Sequence, residues 1–95
     1  MKIAVLDAST LGKDLNIAPL SVAGDVTAYD TTAPEQVKER TRGVDVVVIN
    51  KVKLNGETLG EDPTVRLICI AATGYDNIDL NYCRAHGIGV ANAAG

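Results

Sequence analysis

Tryptophan and phenylalanine are absent from this sequence, and three tyrosines are the only aromatics among its 95 residues. Whatever core it forms is therefore aliphatic. Cysteine is nearly as scarce: Cys69 and Cys83 are the whole complement, without a C-x-x-C spacing. They leave no disulfide framework to read, and fit a pair of reduced, buried thiols in a cytoplasmic protein. No apolar run approaches the ~20 residues that cross a bilayer. Asp7 also falls too early in M-K-I-A-V-L-D for a signal-peptide core. Basic runs are missing and the net charge is −3, so neither nucleic acid nor an anionic membrane is an expected partner. With one histidine, no cluster of metal-ligating residues and no G-x-G-x-x-G, the chain offers no resident metal or dinucleotide site.

What is present reads as ordinary globular protein: 46% hydrophobic, 22% charged, with a mean hydropathy of +0.10. The most informative stretch is V-R-L-I-C-I-A-A-T-G-Y-D-N-I-D, Val65 to Asp79. Leu67 to Ala72 is an unbroken apolar run of strand length, as in a strand buried on both faces of a parallel sheet. Thr73-Gly74 then forces a turn, and Asp76 or Asn77 is placed to cap a helix over Asp79 to His86, with Leu80, Cys83 and Ala85 as its inward candidates.

The rest of the chain repeats this alternation. Lys2 to Leu6, Val26 to Tyr29, Val44 to Ile49 and Ile88 to Ala91 read as further strands. A weak helix is expected at Leu11, Leu15 and Ala18, broken by Gly12 and Pro19. A firmer one runs from Pro34 to Arg42, with Thr31 or Thr32 as its cap. Leu54 to Gly60 makes at best a poor helix. Five strands with four connections give an open α/β sheet of flavodoxin-like type, parallel, in the order 2-1-3-4-5 and lacking the final helix. With the first connection weak, one sheet face should stay apolar and partly bare, so self-association as a homodimer is expected.

Ligands in such sheets sit at the carboxyl ends of the strands. Those ends carry Asp7, Ser9, Tyr29, Asp30, Asn50, Lys51, Thr73, Gly74 and Asn92, a polar set without a nucleophile–base pair. The turn at Thr73 and Gly74 can cradle a carboxylate or phosphate on backbone N–H groups, or can simply permit a tight turn. Lys51 could add positive charge there and Asn50 a hydrogen bond. His86 falls at a helix end, at the wrong edge. Gly87-x-Gly89 follows a helix and opens a strand, the reverse of what phosphate binding needs.

From Leu67 to Gly95 the sequence L-I-C-I-A-A-T-G-Y-D-N-I-D-L-N-Y-C-R-A-H-G-I-G-V-A-N-A-A-G resembles the D-isomer-specific 2-hydroxyacid dehydrogenases. The upstream K-I-A-V-L-D-A and V-V-V-I-N-K-V-K-L agree more loosely. The resemblance implies that residues 1–95 form a truncated piece of the substrate domain, without the Rossmann domain that holds NAD. The parent reaction would transfer a hydride between NAD(H) and a small 2-oxo or 2-hydroxy acid. The family's catalytic Arg, Glu and His have no counterpart in this stretch, so the chain should be inactive alone, with no cofactor of its own. Thr73 and Gly74 match the family's backbone clamp on the substrate carboxylate; Asn50, Lys51 and Val52 match a loop lining the same cleft. Two other readings remain. One is an autonomous structural half-domain without ligand. The other is a receiver-like phosphorylation domain, which needs an aspartate at the end of the third strand, where Asn50 stands.

Overall fold

The β-branched runs of the sequence each become a short strand in the computed structural model, which describes residues 1–8, 24–70 and 77–92. In chain order the elements are β1 (Lys2–Val5), β2 (Asp25–Ala28), α1 (Pro34–Arg40), β3 (Val46–Ile49), α2 (Gly56–Leu59), β4 (Leu67–Ile70), α3 (Leu80–Ala85) and β5 (Gly89–Asn92). The strands form one sheet in the order β2-β1-β3-β4-β5, parallel at every pairing. This is the expected α/β architecture and strand order. The helix expected at Leu11 to Ala18 lies outside the described residues. No described helix is long and apolar enough to cross a membrane.

The register sorts the side chains into two faces. Ala4, Val47 and Ile68 line one row, and Ile49 and Ile70 the next. Val37 of α1, Leu59 of α2 and Cys83 of α3 pack on this face in one aliphatic cluster. Right-handed crossovers place all three helices there. The opposite face has a smaller cluster of Ile3, Val5 and Val48. Val46, Leu67 and Cys69 on that side are half-buried. β4 is therefore sealed on one face and half-open on the other, not buried on both.

Helix ends depart from the sequence reading for local reasons. α1 is capped neither by Thr31 nor by Thr32: Ala33 is the capping residue, and its N–H donates to the Gln36 side chain at 2.9 Å. The Thr32 hydroxyl donates instead to the Leu6 carbonyl at 2.6 Å. The helix closes at Arg40 because the Thr41 hydroxyl bonds back to the Val37 carbonyl at 2.8 Å. α2 is a single turn that owes its existence to Asn55, whose side chain accepts from the N–H groups of Glu57 and Thr58 at 2.9 and 3.0 Å. α3 is capped by Asp79, which accepts from the Tyr82 N–H at 3.0 Å, leaving Asn77 for other work. Cys83 is its inward residue, while Leu80 is 45% exposed and Ala85 is exposed; six residues give one short apolar stripe.

β3 starts two residues later than expected. The Val44 N–H turns back to the Thr41 carbonyl at 3.0 Å, and the Asp45 carboxylate accepts from the Lys2 N–H at 2.8 Å. One glycine is required by close approach. A Cβ at Gly24 would lie 2.2 Å from the Met1 carbonyl oxygen, where the neighbouring Asp25 N–H bonds that same oxygen at 2.9 Å.

Candidate functional site

β1 and β3 are neighbours, and their pairing runs one step past β1, where the Leu6 N–H donates to the Val48 carbonyl at 3.0 Å. That step sets Asp7 opposite the chain as it leaves β3. A strand exit is a place where consecutive backbone N–H groups lose their ladder partners. Here Asp7 supplies them. Its Oδ1 accepts from the Asn50 N–H at 2.9 Å, and its Oδ2 from the N–H groups of Lys51 at 2.6 Å and Val52 at 3.2 Å. The residue is only 4% exposed, and the bonds a carboxylate accepts from N–H groups are among the stronger hydrogen bonds.

The other side of the same loop is held by a donor. Asn77 Nδ2 donates to the carbonyl of Val52 at 2.8 Å and to that of Asn50 at 3.3 Å. A single parallel bridge, Leu54 to Ile78, continues the attachment: Leu54 N–H reaches the Asn77 carbonyl at 2.9 Å, and Asp79 N–H reaches the Leu54 carbonyl at 3.0 Å. Leu54 is fully buried. The loop after β3 is thus tied to β1 on one flank and to the start of α3 on the other.

Across from it stands the loop that leaves β2. Tyr29 N–H donates to the Val5 carbonyl at 2.8 Å, and Ala8 N–H to the Tyr29 carbonyl at 2.9 Å. Arg40 folds back from α1 to donate to the Thr31 carbonyl at 2.6 Å and the Thr32 hydroxyl at 2.8 Å. Its guanidinium lies 4.2 Å from the centre of the Tyr29 ring. Between the two loops is a cleft of about 290 Å³, with Thr31, Thr32 and Pro34 on one wall, Lys51, Val52 and Lys53 on the other, and Asp7 between them. It opens at the carboxyl edge of β1, β2 and β3.

A larger depression of about 500 Å³ lies between Lys38 and Arg42 of the α1 region and the segment from Gly56 to Thr64. It sits where the chain enters β4, its charged residues of both signs are all exposed, and its buried Thr41 hydroxyl is bonded back to the Val37 carbonyl. The smaller cleft is the one at the ligand edge of such a sheet.

Of the residues singled out from sequence, Asn50, Lys51 and Val52 stand together on the loop after β3. Thr73 and Gly74 lie outside the described residues. Lys51 is exposed, while Asn50 and Val52 are half-buried. The Lys51 and Val52 N–H groups are committed to Asp7, so these residues meet the cleft through their side chains. His86 lies at the end of α3, its ring stacked 4.2 Å from Tyr82, its nitrogens 2.9 Å from the Tyr82 carbonyl and 3.2 Å from that of Glu61. It is a helix-end residue, as the sequence suggested. Gly87 has a φ of 68° and turns the chain into β5 at the amino edge, away from the cleft. Among the described residues nothing fits a dinucleotide, and no group of His, Cys, Asp and Glu could hold a metal ion.

The groups with raised pKa values also lie away from the cleft. Burial pushes the Cys69 thiol up. Burial does the same to Cys83, with the Asp79 carboxylate adding to the effect. Tyr82 is raised by burial and then by Cys83. None is activated as a nucleophile, since activation requires the opposite shift.

Two functional contributions escaped sequence reasoning. The sequence places Asp7 among the carboxyl-edge residues with no role, and offers Asn77 only as an alternative to Asp76 for capping the helix that Asp79 in fact caps. The signal for Asp7 was an acid directly ending a buried strand whose sheet neighbour exits beside it.

Residues 3–95 match the catalytic domain of D-isomer specific 2-hydroxyacid dehydrogenase. Similar proteins include a glycerate dehydrogenase of Methylorubrum extorquens, 35% identical over 96% of this chain and 29% of its own length. A hydroxypyruvate reductase of Blautia hydrogenotrophica is 36% identical over 97% of this chain and 30% of its own. Among solved structures, an NAD+-bound 3-phosphoglycerate dehydrogenase of Entamoeba histolytica superposes with a TM-score of 0.75, at 29% identity, over 97% of this chain and 32% of that one. The chain therefore spans about 30% of the relatives it matches. With the family match covering nearly every residue and the fold agreeing, the chain belongs to the D-isomer-specific 2-hydroxyacid dehydrogenases, in the catalytic-domain portion of that family.

Proposed function

We propose that this chain supplies substrate-side structure to an NAD-dependent D-2-hydroxyacid dehydrogenase, and that its cleft receives a small 2-oxo or 2-hydroxy acid. One observation supports this reading above the others: Lys51 and Val52, on the loop that resembles the family's cleft loop, help form one wall of a cleft at the carboxyl edge of β1, β2 and β3. The family's reaction moves a hydride between the nicotinamide and C2 of the acid. The described residues form no cradle for that cofactor, so their part is to bind and orient the acid. The exposed ammonium groups of Lys51 and Lys53 favour an anionic ligand at the mouth of the cleft. Thr73 and Gly74 are proposed, on motif alone, as backbone donors to its carboxylate. Two free thiols, Cys69 and Cys83, fit a cytoplasmic setting.

Titrating the 95-residue chain with glyoxylate, followed by amide chemical shifts, tests this. Shifts should gather at Asn50 to Lys53 and at Thr73-Gly74, with an affinity of about millimolar. Shifts gathering at His86 would refute the placement. NADH should not be consumed when hydroxypyruvate is added, because the sequence has no G-x-G-x-x-G; measurable turnover would contradict that part.

A second reading, a self-associating module, is favoured by the second face of the sheet. Ile3, Val5 and Val48 are covered there, but Val46, Leu67 and Cys69 are half-buried and Ala91 is exposed. Val26 is half-buried and Ala28 exposed on the same face, so the opening flanks a covered centre on β1. We infer that a second copy pairs across this face as a homodimer, with little dependence on salt because the surface is aliphatic. Sedimentation of a clean monomer at micromolar concentration would sink it.

A further inference from the structure

We propose that Asp7 and Asn77 are positioning residues, and that together they hold the 50–52 loop in a single arrangement as a wall of the cleft. The polarity of each side chain matches the flank it faces. Three consecutive N–H groups, of Asn50, Lys51 and Val52, point to one side and need acceptors; a carboxylate has two oxygens and no donor. The carbonyls of Asn50 and Val52 point to the other side and need a donor; the Asn77 amide nitrogen carries two N–H bonds and reaches both. Exchanging either polarity at constant size puts like against like. Asn at position 7 would aim an NH2 group or a single oxygen at three donors. Asp at position 77 would aim a carboxylate at two carbonyl oxygens.

The burial of Asp7 makes the arrangement demanding. A residue 4% exposed has little access to water that could replace a lost partner, so a shift of the loop costs hydrogen bonds. Asp7 itself lines the cleft between the Thr31-Thr32 wall and the Lys51 to Lys53 wall. Both oxygens of its carboxylate accept from the loop, and the place of that loop sets one wall of the cleft. Both residues therefore act through the loop, which makes them determinants of cleft geometry and not catalytic residues. That they serve substrate binding rests on the proposed function; that they hold the loop does not.

The experiment separates the two statements. In the unmodified chain, the amide protons of Asn50, Lys51 and Val52 should exchange slowly, since all three bond to Asp7. In Asn77→Asp and Asp7→Asn, hydrogen exchange at these amides should accelerate at least about tenfold, while Val48 and Ile68 in the sheet keep their protection. Glyoxylate binding should weaken about tenfold in the same variants. Unprotected amides at 50–52 in the unmodified chain, or acceleration spread evenly through β3 and β4, would overturn the positioning role. If the amides are protected and the variants loosen the loop, yet glyoxylate shifts nothing in the unmodified chain, the loop-holding stands and the substrate reading falls. Should Asp7→Asn fail to fold, the protection in the unmodified chain and the Asn77→Asp exchange decide the matter alone.

Discussion

The two walls of the cleft are built on different principles. The loop after β3 is held by a buried carboxylate and a half-buried amide, whose every described bond goes to backbone. The loop after β2 is held by Arg40, a half-buried cation stacked over a tyrosine and bonded to Thr31 and Thr32. One support of the first wall, Asp7, is buried, whereas Arg40 of the second is only half-buried and its bond to Thr31 is exposed. Stability and cleft shape should therefore depend strongly on the first and weakly on the second, although both contribute residues to one cleft.

The sharpest way to break this asymmetry is Asp7→Ala. Removing the carboxylate leaves the part-buried Asn50, Lys51 and Val52 N–H groups without their acceptor. Each stranded group costs about 1–3 kcal/mol, and some relax toward water, so the total loss is put at about 3 kcal/mol. A domain of this size loses roughly 4–8 °C of Tm per kcal/mol, so the thermal midpoint should fall by at least about 12 °C. A fall under about 3 °C in calorimetry would show that the loop rests on something other than Asp7.

A second effect comes from α3, away from both walls. Cys83 and Tyr82 have pKa values raised by burial, as does Cys69 on β4. The folded state holds these protons more tightly than the unfolded chain does. Their contribution to stability is therefore complete below the ordinary thiol value of 9.0 and is lost as pH rises through that value and beyond. Denaturation midpoints should stay level from pH 7 to 8.5 and then decline. The decline should be shallower in Cys83→Ala, measured against that variant's own value at pH 7. A decline identical in both would assign it to other groups.

How much of this was legible beforehand follows from the range over which each interaction acts. Strand order came from β-branched runs such as Val46–Ile49 and Leu67–Ile70 and from the lengths of the connections between them, information that is local in the chain. The loop Asn50 to Val52 came from its likeness to family members. Its supports did not, because Asp7 acts over 43 to 45 residues of sequence and Asn77 over 25 to 27. No periodicity encodes such a contact. Asn77 was misread for a related reason. It sits where a helix cap belongs, but Asp79 two places on takes that role, and a short polar side chain before a helix fits either use. Leu80 shows a limit of another kind. A helix of six residues presents too few positions for its apolar stripe to be phased, and the leucine falls outside.

The mildest prediction completes the comparison from the open side. Arg40→Ala removes the guanidinium 4.2 Å from the Tyr29 ring together with its bonds to the Thr31 carbonyl and the Thr32 hydroxyl. All of these groups are half-buried or exposed. Water can take over the hydrogen bonds, and a cation–π contact at such a site is worth about 0.5–1 kcal/mol. The Thr32 hydroxyl also keeps its own bond to the Leu6 carbonyl at 2.6 Å, and Tyr29 keeps its backbone bond to Val5 at 2.8 Å, so the loop retains two attachments to β1. The expected loss is about 0.5–1 kcal/mol, with hydrogen exchange at Asn50 to Val52 unchanged. Urea denaturation at an unchanged m-value measures the first quantity, and amide exchange the second. A loss above about 2 kcal/mol, or faster exchange at the loop across the cleft, would mean that the two walls stand or fall together. Each would then owe its position to the other, and the division between a braced wall and an open one would be lost.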